Sequence, residues 1–309
     1  MSLTPDLNEA GCTATPMDRL AALFERFSVS ARTFQSGALC GINAIGEDET
    51  RGQLHVVRAG RLAVDHFGAA PPLEVCEPSL LLYPRPLPRR FITDAQRGAD
   101  MVCAHIEFTG SVANPVAAAL PDVVQLPLAQ APEMDFLLRH LFSEADARNC
   151  GRQAMLDRLF EALLIQLLRV VMDRGHVRSG MLAGLADPRL RNMLVSLHER
   201  PQQPWSLESL AELAGMSRTA FANTFRDVVG VTPGAYLQAW RIGLAQQHLA
   251  AGMPLKLVAQ EVGYSNEAAL SRAFQAQTGQ RPGEWRRGAS AAGVDQAPGS
   301  PARVGQNSH

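Results

Sequence analysis

The chain has 309 residues, 46% of them hydrophobic, and a formal net charge of −1. That length accommodates two domains with a core in each, and the near-zero charge says nothing by itself about nucleic acid. Composition argues against two classes. The longest apolar run, Leu159–Met172, is broken by Glu161, Gln166 and Arg169 and is too short to cross a bilayer; five cysteines at irregular spacings do not make a secreted disulfide scaffold.

Residues 1–15 are polar and mixed and read as a flexible N-terminus. Residues 16–130 read as a β domain. Gln53–Asp65 predicts two short strands around Arg58-Ala59-Gly60-Arg61, a hairpin signal. Leu80–Tyr83 is an apolar strand running into Pro84. Met101–Phe108 places Val102, Ala104, Ile106 and Phe108 on one face by alternation. Short strands punctuated by Pro and Gly suggest a sandwich or barrel.

Helices are expected next, over 131–178, at Glu133–Glu144 and Gly151–Asp173. In the second, Leu156, Leu159, Phe160, Leu163, Leu164 and Leu167 form a wide apolar face. Packing against the barrel and contact with a second copy are both open for it. A glycine-containing linker is expected from Ser179 to Ala186, and Asp187-Pro188 marks the start of the last domain.

That domain, 186–288, contains a duplication. Ala211-x-x-x-Gly215 recurs as Ala259-x-x-x-Gly263, an offset of 48. Phe221, Phe225, Gly230, Pro233, Gly234 and Tyr236 recur as Leu270, Phe274, Gly279, Pro282, Gly283 and Trp285, an offset of 49. Each copy reads as helix, glycine turn, second helix and glycine-proline stop, so a supersecondary unit is repeated. In the first copy Leu207–Ala214 has a buried face, Ser206 and Ser217 cap, and Phe221, Phe225 and Val228 face inward. Thr219, Ala222, Asn223 and Arg226 then share the outward face. In the second, Pro254–Val262 supports, Ser265 or Asn266 caps, and Ala268, Ser271, Arg272 and Gln275 face out. Ala235–Ala251 reads as a connecting helix. This is helix-turn-helix geometry, in which the second helix enters the DNA major groove. Charge agrees: residues 188–288 carry a net +4 and residues 1–187 a net −5, so the basic excess lies where phosphate contact needs it. Residues 289–309, rich in Ala, Gly, Ser and Pro, read as a disordered tail.

Leu-Ala-x-x-Ala-Gly-Met-Ser-Arg-x-x-Phe-x-x-x-Phe-Arg (210–226), the matching run at 258–274 and Gly-x-x-Pro-x-x-Trp-Arg (279–286) resemble the DNA-binding domain of AraC/XylS-type bacterial transcription regulators. His-Val-Val-x-x-Gly (55–60) and Tyr-Pro-Arg-Pro (83–86) resemble, more weakly, the cupin-type sensor domain that precedes it in one branch. The resemblance implies an α+β chain of two domains: a cupin-like β-barrel with following helices, then an all-α double helix-turn-helix. It implies DNA contacts at Arg218, Thr219, Ala222, Asn223 and Arg226, and at Glu267, Ala268, Ser271 and Arg272. It further implies promoter DNA and RNA polymerase as partners, a homodimer formed through the helical segment, a small-molecule effector and a cytoplasmic, nucleoid-bound location.

No catalytic site, cofactor or metal is expected. A metal-binding cupin needs His-x-His, a Glu and a distant His. Here His55 has no histidine two residues on, the distant position reaches Arg89 or Arg90, and His66 and His105 are isolated. Cys40, Cys76 and Cys150 are the candidate redox residues, Cys150 foremost because a helix start and Arg152 would favour thiolate. Cys103, in an apolar strand, reads as packing. Two alternatives stay open: a cupin enzyme with an attached DNA module, and a constitutive DNA-binding protein whose barrel only dimerises.

Overall fold

The structure is a computed structural model; it describes residues 18–45, 51–108, 114–175 and 179–294. The expectations placed on residues 1–15 and residues 295–309 fall outside these. A short helix, α1 (Ala21–Arg26), leads into strands β1 (Val29–Leu39), β2 (Ile42–Ile45), β3 (Gly52–Ala59), β4 (Leu62–Asp65), β5 (Leu73–Val75), β6 (Ser79–Tyr83), β7 (Arg89–Thr93) and β8 (Ala99–Phe108). Then come α2 (Pro115–Ala119), β9 (Val124–Pro127) and helices throughout: α3 (Asp135–Asp146), α4 (Arg152–Asp173), α5 (Met181–Ala186), α6 (Arg191–Glu199), α7 (Leu207–Leu213), α8 (Arg218–Val229), α9 (Pro233–Ala250), α10 (Leu255–Glu261), α11 (Glu267–Thr278) and α12 (Pro282–Val294).

The strands form two antiparallel sheets, ordered β1-β8-β3-β6-β9 and β2-β7-β4-β5. Strand alternation explains why the larger sheet is buried on both sides. Val57, Leu81, Tyr83, Met101 and Cys103 point at Leu62, Val64, Val75 and Phe91 of the smaller sheet. Leu54, Val56, Leu80, Leu82, Val102, Ala104 and Ile106 point the other way, into a core shared with the helices. The expected hairpin at Arg58–Arg61 is not one. β3 already pairs with β6 and β8, so neither edge is free for β4, which crosses to the other sheet and pairs with β5 and β7.

The leucine face of α4 is settled within the chain. Leu156, Phe160, Leu163, Leu164 and Leu167 are fully buried against β1, α3 and their neighbours. Leu159, the remaining member, is 9% exposed, so this face packs within the chain and is not free for the expected dimer contact. α4 also closes the sheet edge. β1 is an outer strand, and Asp157 Oδ1 accepts from Thr33 N–H at 2.7 Å while Glu161 Oε1 accepts from Ala31 N–H at 3.3 Å. Gln153 Nε2 donates to the Thr33 carbonyl at 3.0 Å. The unpaired backbone of an edge strand is thereby occupied.

Two further expectations are corrected. Ser179–Ala186 is not a bare linker: α5 lies within it and buries Met181, Leu182 and Leu185. Its Gly184 is there for close packing, since a Cβ would lie 2.5 Å from Leu194 Cδ1. Residues 289–294, read as tail, continue α12.

Candidate nucleic-acid interface

Both repeats fold to the same local plan. Ser206 caps α7 by accepting from Ser209 N–H at 3.1 Å, and Ser209 Oγ accepts from Ser206 N–H at 3.0 Å. Gly215 follows at φ +64 and lets Met216 N–H reach back to the Ala211 carbonyl at 2.9 Å. The second turn repeats that bond, Tyr264 N–H to the Ala259 carbonyl at 2.8 Å, with Gly263 at φ +83. Ser217 caps α8, and Asn266, accepting from Ala269 N–H at 2.9 Å, caps α11.

These turns fix which faces point out. Phe221 and Phe225 of α8 and Leu270 and Phe274 of α11 have no exposed surface. Val229, rather than Val228, completes the buried face of α8. Arg218, Thr219, Asn223 and Arg226 are exposed and Ala222 half-buried on α8; Glu267, Ala268 and Arg272 are exposed and Ser271 half-buried on α11. Arg218 does not point freely outward, because its Nη1 donates to Glu208 Oε1 at 2.7 Å.

α9 sets the relation of the two units. It packs on α8, α10, α11 and α12. Its Arg241 donates to the carbonyls of Pro201 and Gln203, both at 2.8 Å, and stacks 5.8 Å from the Tyr264 ring centroid. Beside α11 the structure also brings together a group the motif reading did not name. Arg281, Arg286 and Arg287 join Arg272, Ser271 and Gln275 around one cleft. The signal in the sequence is Arg281 and the Arg286-Arg287 pair on either side of Pro282.

The barrel interior holds a polar cluster. The buried Arg89 guanidinium stacks 3.8 Å from the Tyr83 ring centroid, and its Nη2 lies 3.1 Å from His55 Nε2 and against Gln53 Oε1. Burial and the Arg89 charge push the His55 pKa well below its ordinary value. A guanidinium offers only donors, so His55 faced by Arg89 does not suit a divalent cation. Among the described residues no three His, Cys, Asp or Glu lie together as metal ligands. Arg90 pairs instead with Asp65 at 2.6 Å.

Cys40, Cys76 and Cys150 are exposed free thiols on separate loops; Cys103 is buried, and desolvation raises its pKa. Arg152 donates to the Ala145 and Glu144 carbonyls at 2.6 and 3.1 Å and to Ser36 Oγ at 3.2 Å. Its charge is thus held on the end of α3.

Two family profiles match the chain: one described as Cupin, over residues 18–173, and one described as Helix-turn-helix domain, over residues 210–288. An AraC-like transcription regulator of Streptomyces lividans is 36% identical over 172 residues, 54% of this chain and 57% of that protein. The HTH-type transcriptional regulator AlkR of Acinetobacter baylyi is 34% identical over 190 residues, 60% of this chain and 61% of that protein. The RCS-specific HTH-type transcriptional activator RclR of Escherichia coli is 30% identical over 191 residues, 60% of this chain and 67% of that protein. The chain thus spans a little under three fifths of the length of the first of these relatives.

Proposed function

We propose that this chain, which belongs to the AraC family of helix-turn-helix proteins and carries a cupin domain ahead of its paired motifs, binds specific promoter DNA and regulates transcription from it. The carrying observation is the repeat itself. Two capped, glycine-turned units present α8 and α11 outward from one connecting helix. At 18 residues, α9 is roughly 27 Å long, of the order of the ~34 Å between major-groove faces one helical turn apart. Asn223 and Thr219 offer base-edge hydrogen bonding from α8. Arg272, with Arg281, Arg286 and Arg287 behind it, offers charge to the backbone from α11.

On this reading the barrel is a sensor, RNA polymerase is the downstream partner, and the protein works on the nucleoid. A homodimer uses a surface other than the α4 leucine face. Redox control through Cys40, Cys76 or Cys150 is a second input, tested by reversible oxidant-dependent DNA binding. That input is abandoned if replacing all three by serine leaves an oxidant response unaltered.

The central test is selection of bound sequences from a random DNA pool by the full chain. The expected result is an enriched site with two blocks about one helical turn apart, bound less tightly as salt rises. Equal affinity for the selected and a scrambled site would overturn the proposal.

A further inference from the structure

The last carbonyls of a helix have no partner within it. At the end of α6 one of them is met from the other domain. Arg26, the last residue of α1, donates from Nη2 to the Glu199 carbonyl at 2.8 Å. The helix dipole favours a cation at that end as well. The next residue anchors the contact: Phe27 is buried, and its ring centroid lies 5.1 Å from that of Trp240 in α9. The guanidinium thus reaches the DNA-binding region from a helix that precedes the first strand of the barrel.

What Arg26 holds is the entry to residues 200–206, the loop between α6 and α7. This loop contains no helix or strand, so its backbone groups need other partners. Trp205 Nε1 donates to the Arg200 carbonyl at 2.9 Å, and Arg241 donates to the carbonyls of Pro201 and Gln203. Of the side chains that fix the stretch from Glu199 to Gln203, Arg26 is the one supplied by the N-terminal domain. The loop in turn abuts the second helix-turn-helix. A Cβ at Gly263 would lie 2.7 Å from Gln202 Cα and 3.0 Å from the Gln202 carbonyl oxygen. Arg241, having gripped the loop, also lies over the Tyr264 ring. The first unit is closed differently. α7 follows the loop, but its start is fixed by its own Ser206–Ser209 capping box, and a Cβ at Gly215 would meet no atom within 4 Å.

We infer that Arg26 is a positioning residue for DNA recognition by the second unit. It fixes the α6–α7 loop, and the loop fixes the turn that precedes α11. The orientation of α11 relative to α8 is thereby set by the seat of the N-terminal domain on α6. A signal that shifts α1 reaches the second recognition helix and leaves the first in place. The placement of the turn stands on geometry alone; its effect on DNA rests on the regulator reading. A general contribution to stability would act on both units, so a one-sided dependence is the signature of this role.

The test compares the full wild-type chain with Arg26→Met, which keeps the apolar stem and removes the donors. The first measurement needs no DNA. Hydrogen exchange at the amides of Gly263 and Tyr264 is expected to quicken about fivefold, and at Gly215 and Met216 to stay as in the wild type. The second measurement uses the selected DNA site with each block scrambled in turn. The block whose scrambling penalty Asn223→Ala reduces is that of α8; the other is that of α11. In Arg26→Met the penalty for scrambling the α11 block is expected to fall about fivefold, with the α8 penalty unchanged. Arg26→Lys still offers a charged donor to a single carbonyl and should restore both readings. Arg19→Ala breaks a 2.9 Å bridge to Asp173 inside the N-terminal domain and should move neither. Arg26→Gln takes the place of Arg26→Met if the latter does not fold. Wild-type exchange at the second turn overturns the inference, and so does an equal change at both turns. A wild type without sequence preference defeats the regulator reading, and the exchange contrast still decides the role of Arg26. Sequence preference in the wild type with unaltered block penalties in Arg26→Met defeats the positioning role alone.

Discussion

At Gly215 the first turn faces open space: a Cβ built there meets no atom within 4 Å. At Gly263, the equivalent position 48 residues on, a Cβ would lie 2.7 Å from Gln202 Cα and 2.9 Å from Arg241 Nη2. The first glycine is needed only for its positive φ; the second is needed for φ and for the space the α6–α7 loop occupies. The recognition helices differ as well. α8 offers Thr219, Asn223 and one exposed arginine, Arg226, with Arg218 tied to Glu208. α11 offers Arg272 beside three further arginines. One repeated pattern therefore supports a turn that stands free and a turn wedged into its neighbours and, on the proposed function, a helix offered mainly to bases and a helix offered mainly to phosphates.

The largest expected effect tests what the units share. Phe225→Ala and Phe274→Ala each remove a fully buried ring and should cost about 3–5 kcal/mol, read as loss of denaturant midpoint. A cost under 1 kcal/mol at one site would show that its unit does not need the common core. Next comes the glycine contrast. Gly263→Ala should cost about 3 kcal/mol, from backbone strain plus overpacking, and Gly215→Ala about 1 kcal/mol, from strain alone. Equal losses in thermal melts would remove the distinction between the turns.

Acid should act on the first unit more than on the second. His198 of α6 is buried, stacked on Trp240 and 2.6 Å from the Tyr236 hydroxyl; desolvation first, then Arg26, lowers its pKa to about 3. Its unfolded value is about 6.5, so the unfolded chain binds the extra proton as pH falls. The stability it confers is complete above about pH 6.5 and declines toward pH 3, by about 2 kcal/mol at pH 5. His198→Gln should flatten the pH dependence of stability over that range; an unchanged slope would contradict the assignment. The smallest effects concern DNA. Asn223→Ala should cost about 1–2 kcal/mol on the selected site and leave the salt slope alone. Arg272→Ala should cost a similar amount on all sequences and lower the slope by about 1. Identical slopes in titrations of both variants would erase the base-versus-phosphate contrast.

What was legible in the chain follows from how local each signal is. The helix-turn-helix units declare themselves through caps, glycines and aromatic spacing within a few residues, and the outward faces follow from the inward ones. The apolar face of α4 announced burial and could not name its partner, because β1 lies more than a hundred residues earlier. The crossing of β4 to the second sheet was hidden for the same reason: it depends on β6 and β8 having taken both edges of β3. Gly184 read as linker composition, although its role is to let α5 approach Leu194. The arginines at 281, 286 and 287 join Arg272 only once α12 has folded back beside α11.

The carboxylates that cover the edge of β1 carry a consequence for synthesis. Glu161 lies 130 residues beyond Ala31, so the strand leaves the ribosome long before its cover does. At roughly 5–20 residues per second, the edge stands open for on the order of ten seconds on every nascent chain. Chaperone occupancy in that interval, and aggregation of chains that terminate before α4, are where the burden of this fold falls.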